Sequence, residues 1–521
     1  MQYIISIMPS SSLTSSLITT DGAEFNHTTA STSSSSSSNS SAEYNDKAQE
    51  WIDNNKDNPS LLCTLTELSS YQWEKNKLNY STGGIRFSMK HVVEWFEEKE
   101  RSDRDLLRDV AHYRDSHKFT PLHWLVQARP PPDLVQRLIQ IAPETLRASC
   151  NFGALPLHYA CQKEASAEVV QILIQAYPQA VRERTGAGGL PIHYACESTK
   201  ASPTSEVVQT LLDVYPGSAQ VQDHFIGLPL HIACRTGASY GVIHALLEAY
   251  PKAAQSPNIH GIMPLHYACD NALSTPNVVS QLLQVYPDAA KITSSHGCLP
   301  LHLACKNPHL EIMDLLLSAY PASINIPNGH GDLPSVILQK YATAATATTT
   351  TAANQQQKLH LMHKAIQKDL SPHLIQLLLK AFPESCMALD SDGMLPLHYA
   401  CSKHPTKLSI ETVMILTQDG NPDSSSMPNR EGKAPLQLLR NTLAYQDNHG
   451  RAFLHTWAST NTFTVSSTKQ LEFFMEIYSE GIFLPDNLGM LPFHHACLNA
   501  TSSIDILLMF MQSHPESILK V

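Results

Sequence analysis

Apolar residues along much of this chain recur at helical spacing and stop at one punctuation mark, an aromatic residue followed by proline. The pair closes IQAYP, LDVYP, LEAYP, LQVYP, LSAYP and LKAFP. Counting back from that proline, positions nine, eight, five and four are apolar, as in Val169, Val170, Leu173 and Ile174. Positions ten, seven and three are polar or small, as in Glu168, Gln171 and Gln175. This spacing predicts a helix with one packed face and one wet face. Proline ends it, because it cannot continue a helix and disfavours helical geometry in the residue before it. Twelve residues before the proline stand Ser166, Thr204, Ser239, Thr275, Ser371 and Ser503, whose side-chain oxygens suit an N-cap; His309 is the exception.

A second, shorter helix precedes each of these. Its marker is a proline followed two residues later by histidine, at Pro121, Pro156, Pro191, Pro229, Pro264 and Pro300, with Pro334 at the same spacing. Proline at the first helical position has a pre-set φ and lacks an N–H that would be unpaired there anyway. The expected helix is roughly Pro156 to Gln162. Matching segments recur around 361, 396, 435, 453 and 492, with Leu361 and Phe453 in place of proline. A helix pair of this size cannot form a core alone, so its apolar faces must be covered by neighbouring pairs, and the expected body is an all-α solenoid of helix-turn-helix repeats. Residues 1–42, mostly Ser and Thr, are too poor in apolar groups to fold and are expected to be disordered. Residues 43–118 are expected to form a helical capping region, and residues 119–521 to hold about eleven repeats. Irregular insertions are expected near 342–357, a Thr/Ala/Gln tract, and near 435–447, a helix without a partner.

The units resemble ankyrin repeats, whose signature includes T-P-L-H-x-A. Thr120 to His123 reads TPLH unchanged. Glycine precedes the marker residue by three positions at Gly153, Gly261, Gly297, Gly331, Gly393, Gly432 and Gly489. Gly227 is one residue closer, and Gly188 and Gly189 form a pair. An Asp or Asn lies six before it at Asp223, Asn258, Asn328, Asp390, Asn429 and Asp486. Two departures stand out. Most units carry Leu, Met or Ala where the family has Thr, and the aromatic-proline ending replaces the family's glycine, which implies a remodelled connection after the second helix. The resemblance implies a non-catalytic scaffold that binds protein partners through its connections and first helices, with no cofactor.

The repeated LPLHYAC places His158 and Cys161 on neighbouring helical turns, and the pair returns six times, from His193 and Cys196 to His494 and Cys497. One pair offers only two ligands, and packed helices lie about 8–10 Å apart, too far for zinc to gather four at about 2.0–2.3 Å. Histidine bonded to backbone and cysteine as a small buried residue is the preferred reading. Among nucleotide-binding, zincin, hydrolase and redox motifs, none is present, which leaves no catalytic or metal-ligating residue to name. The rival reading is a regulatory subunit or enzyme with an active site in residues 43–118. A net charge of −11 over 521 residues gives no reason to expect nucleic acid as a partner. No apolar run reaches the roughly 18–20 residues of a transmembrane helix. The opening MQYIISIMPSSSL is a poor secretory signal, so a cytoplasmic or nuclear location is expected.

Two features exceed what the repeat needs. NIHG, SSHG and NGHG place His260, His296 and His330 at one site of consecutive connections, as candidate partner contacts. In the last helix, SIDILLMFMQSHP, Ile506, Leu507, Phe510 and Met511 hold the packed positions, while Leu508 stands at an outward one filled elsewhere by residues such as Gln171 and Asp314. An apolar residue there is expected to support weak self-association or partner docking.

Overall fold

The computed structural model describes residues 89–197, 204–225, 227–344, 360–404, 408–460, 465–499 and 504–513. The expected Ser/Thr-rich tail at 1–42, most of the tract at 342–357, and the cap at Ser503 lie outside them. The chain divides into two compact units, Met1–Pro229 and Leu230–Val521.

The first unit opens with α1 (Met89–Ser102) and α2 (Arg104–His112), whose Val92, Trp95, Phe96, Leu107 and Val110 are buried. Asp103 caps α2 by accepting from the Leu106 N–H at 3.0 Å. Three helix pairs follow: α3 (Pro121–Gln127) with α4 (Pro132–Ile141), α5 (Pro156–Gln162) with α6 (Ala167–Ala176), and α7 (Pro191–Glu197) with α8 (Thr204–Val214). Helix α2 packs on both members of the first pair. First helices stack on first helices, α3 on α5 and α5 on α7, and second helices likewise, α4 on α6 and α6 on α8. Helix α5 has the predicted bounds. On α6, Val169, Val170, Leu173 and Ile174 are buried while Glu168, Gln171 and Gln175 face water, as the pattern requires.

The second unit continues from α9 (Pro229–Thr236) with α10 (Tyr240–Ala249), α11 (Pro264–Asp270) with α12 (Pro276–Val285), and α13 (Pro300–Ala304) with α14 (Leu310–Ala319). Then come α15 (Pro334–Ala344), α16 (360–367) with α17 (Pro372–Ala381), and α18 (Pro396–Cys401) with α19 (Ile410–Met414), the last running on as a π-helical turn, Ile415–Asp419. The unit closes with α20 (Pro435–Ala444), α21 (Phe453–Thr460) with α22 (Val465–Ile477), and α23 (Pro492–Leu498) with α24 (Ile504–Ser513).

Among the described residues, helices α15 and α20 each occupy a first-helix place with no second helix of their own. The outer layer closes over the gap at both points, with α14 packing directly on α17 and α19 on α22. The helix at 435–444 is not without contacts: it packs on α18 and α21, with Leu439 and Leu443 buried. What it lacks is an outer helix of its own.

After each aromatic-proline pair the chain enters a 3-10 turn, as at Pro178–Arg182 and Pro287–Lys291, and buries its third and fourth residues, Ala180 and Val181 or Ala289 and Ala290. This is the remodelled connection, and among the described residues it contains no strand. The predicted caps form only in part. Ser166 Oγ accepts from the Val169 N–H at 3.3 Å, whereas Ser239, Thr275 and Ser371 hold the N-cap backbone without such a bond.

Candidate functional site

Leu155 has no side-chain acceptor, so α5 is capped from inside. The Nδ1 of His158, at the third helical position, accepts the Leu155 N–H at 3.0 Å. A nitrogen that accepts carries no proton, so the proton sits on Nε2, which donates to the Glu183 carbonyl of the next connection at 3.1 Å. The arrangement repeats. In the first unit Nε2 of His123 and His193 bonds the Ala154 and Val221 carbonyls; in the second, His266, His302, His398 and His455 bond Cys298, Ile326, Lys433 and Met490. Each imidazole caps its own helix and staples its repeat to the following one. Loss of solvation pushes His123, His158 and His266 down to about 4, so these rings are neutral. Cys161, Cys196, Cys269, Cys305 and Cys401 are fully buried and burial raises their thiols, which keeps the sulfur protonated and unreactive. With both histidine nitrogens bonded to backbone, the His–Cys pair is architecture.

The connections expose a second layer of order. Asn258 Oδ1 accepts from the His260 and Ile262 N–H groups, each at 2.9 Å, closing the turn that Gly261 completes at φ +66°. Asn328, Asp390, Asn429 and Asp486 do the same in their own turns, as does Asp447, which the sequence reading passed over. The aromatic residue after the motif histidine ties the first helix to this turn. Tyr399 Oη donates to Asp390 Oδ2 at 2.6 Å, Asn258 Nδ2 donates to Tyr267 Oη at 3.1 Å, and Trp124 Nε1 donates to Asp115 Oδ2 at 3.1 Å. Sequence reasoning missed these pairs, although a constant nine-residue spacing from turn residue to aromatic was there to be read. They hold rigid turn tips beside a row of half-buried aromatics.

His260, His296 and His330 all sit exposed at turn tips of the second unit. Their turns press together: the Gly329 N–H donates to the His296 carbonyl at 3.2 Å, and a Cβ at Gly297 would meet Gly329 N at 2.7 Å. The structure therefore sets these side chains along one edge. Leu508 is 45% exposed on α24. Ile506 and Phe510 are buried, but Leu507 and Met511, expected to be packed, are only half-buried. Their counterparts Val170 and Ile174 on α6 are buried.

The fold is that of a helical repeat protein in which motif histidines bond carbonyls of the following repeat. The family model for ankyrin repeats, described as three copies, matches residues 122–223 and 230–328, so the chain carries ankyrin repeats over those residues. The staple geometry extends past the matched residues to His455. Among solved structures, the ankyrin repeat domain of human ASB11 is 22% identical, covering 42% of this chain and 91% of that chain with a TM-score of 0.36. The ankyrin repeat domain of Bcl-3, described as a unique member of the IkappaB protein family, is 25% identical, covering 42% and 93% with a TM-score of 0.34. No curated protein matches the chain. Ankyrin repeats are in general protein–protein interaction modules. Among the described residues no helix is long and apolar enough to cross a membrane, and no group of three or more His, Cys, Asp or Glu could hold a metal ion.

Proposed function

We propose that this protein is a non-catalytic scaffold that binds a protein partner along its turn tips and first helices, with His260, His296 and His330 at the contact edge. One observation carries the reading. The residues best suited to chemistry, the repeated histidines and cysteines, are consumed in capping, stapling and packing, while the turn tips hold exposed side chains on hydrogen-bonded backbone. A cytoplasmic or nuclear location is part of the proposal and rests on the sequence alone. Capture with the full chain as bait, beside a bait carrying His260→Ser, His296→Ser and His330→Ser, tests it. Partners retained by the first and lost by the second support the contact edge. A hydrolase or transferase activity that survives the triple substitution and maps to residues 43–118 supports the rival reading instead.

The exposure of Leu508, with Ile504 and Leu498 exposed nearby in the sequence, favours a further contact, either weak self-association or docking through α24. Leu508→Glu is expected to reduce the concentration dependence of sedimentation while leaving the melting curve in place. A wild type that stays monomeric, with the same captured partners for both baits, removes this contact.

A further inference from the structure

His363 departs from the motif pattern at its capping nitrogen, on the wall of a cleft. His363 keeps the outgoing half of the staple, donating from Nε2 to the Met394 carbonyl at 3.0 Å. Its ring is 3% exposed, yet Nδ1 has no hydrogen-bond partner. Other motif histidines accept an N–H there, at 3.0 Å in both His302 and His398. The difference is local. Leu361 stands where other repeats have proline, and the chain is already helical at residue 360, before the marker position.

Around this nitrogen lies an open cleft of about 430 Å³, lined by His360, Lys364 and Gln367 from α16 and by Leu389, Asp392 and Tyr399 from the next repeat, among others. His360 and His363 rings lie 5.4 Å apart and His363 and Tyr399 rings 6.0 Å apart. The Asp390 carboxylate, also on the lining, is occupied by the Asp392 and Met394 N–H groups and by Tyr399 Oη. The exposed Asp392 carboxylate stands on the same turn. The cleft thus combines clustered ring faces, a buried ring nitrogen with no hydrogen-bond partner, and two carboxylates against one lysine.

We infer that this cleft is a subsite for an arginine side chain of the protein partner. A guanidinium has donors only, so it suits an unpaired acceptor; its plane stacks on rings, and its edge meets a carboxylate. Lysine could meet the carboxylate but not stack as a plane. The chain's net charge of −11 favours a basic segment as the occupant. The inference rests on the binding-scaffold reading and sharpens it.

The probes are acetylated and amidated pentapeptides, Gly-Gly-X-Gly-Gly with X as arginine, lysine or citrulline, titrated into the full-length protein and followed by ligand-observed NMR. The arginine peptide is expected to bind more tightly than either of the others. Asp392→Asn, on an exposed turn, is expected to weaken it about tenfold, the worth of one charge-assisted hydrogen bond. His363→Gln keeps an N–H for the Met394 carbonyl while moving the acceptor away from the Nδ1 position, and is expected to weaken it similarly; melting curves report whether each variant folds. Equal binding of the arginine and citrulline peptides, or an Asp392→Asn protein that binds like the wild type, overturns the subsite. If full-chain capture still yields turn-tip-dependent partners while the arginine peptide is inert, only this inference falls.

Discussion

The repeat built on α5 and α6 and the one built on α16 and α17 are made from nearly the same parts, yet only the first is closed. In the first, Pro156 starts the helix at a fixed place, the Leu155 N–H points at His158 Nδ1, and both imidazole nitrogens are bonded. In the second, Leu361 lets the helix start earlier, and His363 keeps one bond of the two. The outer helices do not register the difference: Val170 and Leu173 are as buried on α6 as Leu374 and Leu378 on α17. The stack is held by its apolar outer layer, and the histidine staple aligns the inner layer on top of it.

That division of labour can be broken at several levels. The largest effect belongs to the outer layer. Leu173→Ala is expected to cost about 2–5 kcal/mol, the range for truncating a buried leucine, while Gln171→Ala on the wet face costs less than about 0.5 kcal/mol. Equal urea midpoints for the two variants would refute the assignment of faces. Next come the staples. His158→Ala removes two hydrogen bonds and strands a buried N–H, for an expected loss of about 2–3 kcal/mol, whereas His363→Gln should cost under about 1 kcal/mol because Nδ1 had no partner to lose. If the two substitutions proved equally damaging, the idle nitrogen would not be idle.

Acid provides a gentler probe of the same staples. His123, His158 and His266 are held near 4 in the folded chain by loss of solvation, below the ordinary value of 6.5. The unfolded chain therefore binds more protons between those limits, so stability is full above pH 6.5 and declines as the pH falls toward about 4. The urea midpoint is expected to drop over that window, and a variant lacking His158 should show a shallower drop than the wild type. The smallest effect concerns metal. Melting with and without a strong chelator is expected to give the same midpoint, since His158 already spends both ring nitrogens on backbone; a large drop would restore the His158 and Cys161 ligand reading.

Much of this was legible in one dimension. The bounds of α5, the wet and dry faces of α6, the stop at each aromatic-proline pair and the exposed placing of His260, His296 and His330 follow from periodicity, proline geometry and turn chemistry, all local in sequence. The structure also shows what the repeated LPLHYAC does: His caps the helix that its own proline begins, and Cys packs as a small buried residue. The sequence also marked 435–447 as irregular, but not that α20 would pack as an inner helix while α19 and α22 meet over it.

What the tertiary structure alone decided lies between repeats. No local rule says which carbonyl His158 Nε2 will find twenty-five residues on, that Gly297 and Gly329 must approach until a side chain no longer fits between them, or that Leu507 and Met511 will be left half-covered on a helix whose pattern matches α6. The idle Nδ1 of His363 is of the same kind. Leu361 for proline is visible in the sequence, but its consequence needs the neighbouring turn in place, because an unpaired atom becomes a candidate site only when a second element makes a cleft around it. Propensity and periodicity act within one helix; the hydrogen-bond partner, the close approach and the cleft are relations between helices, and the packing of the stack fixes them.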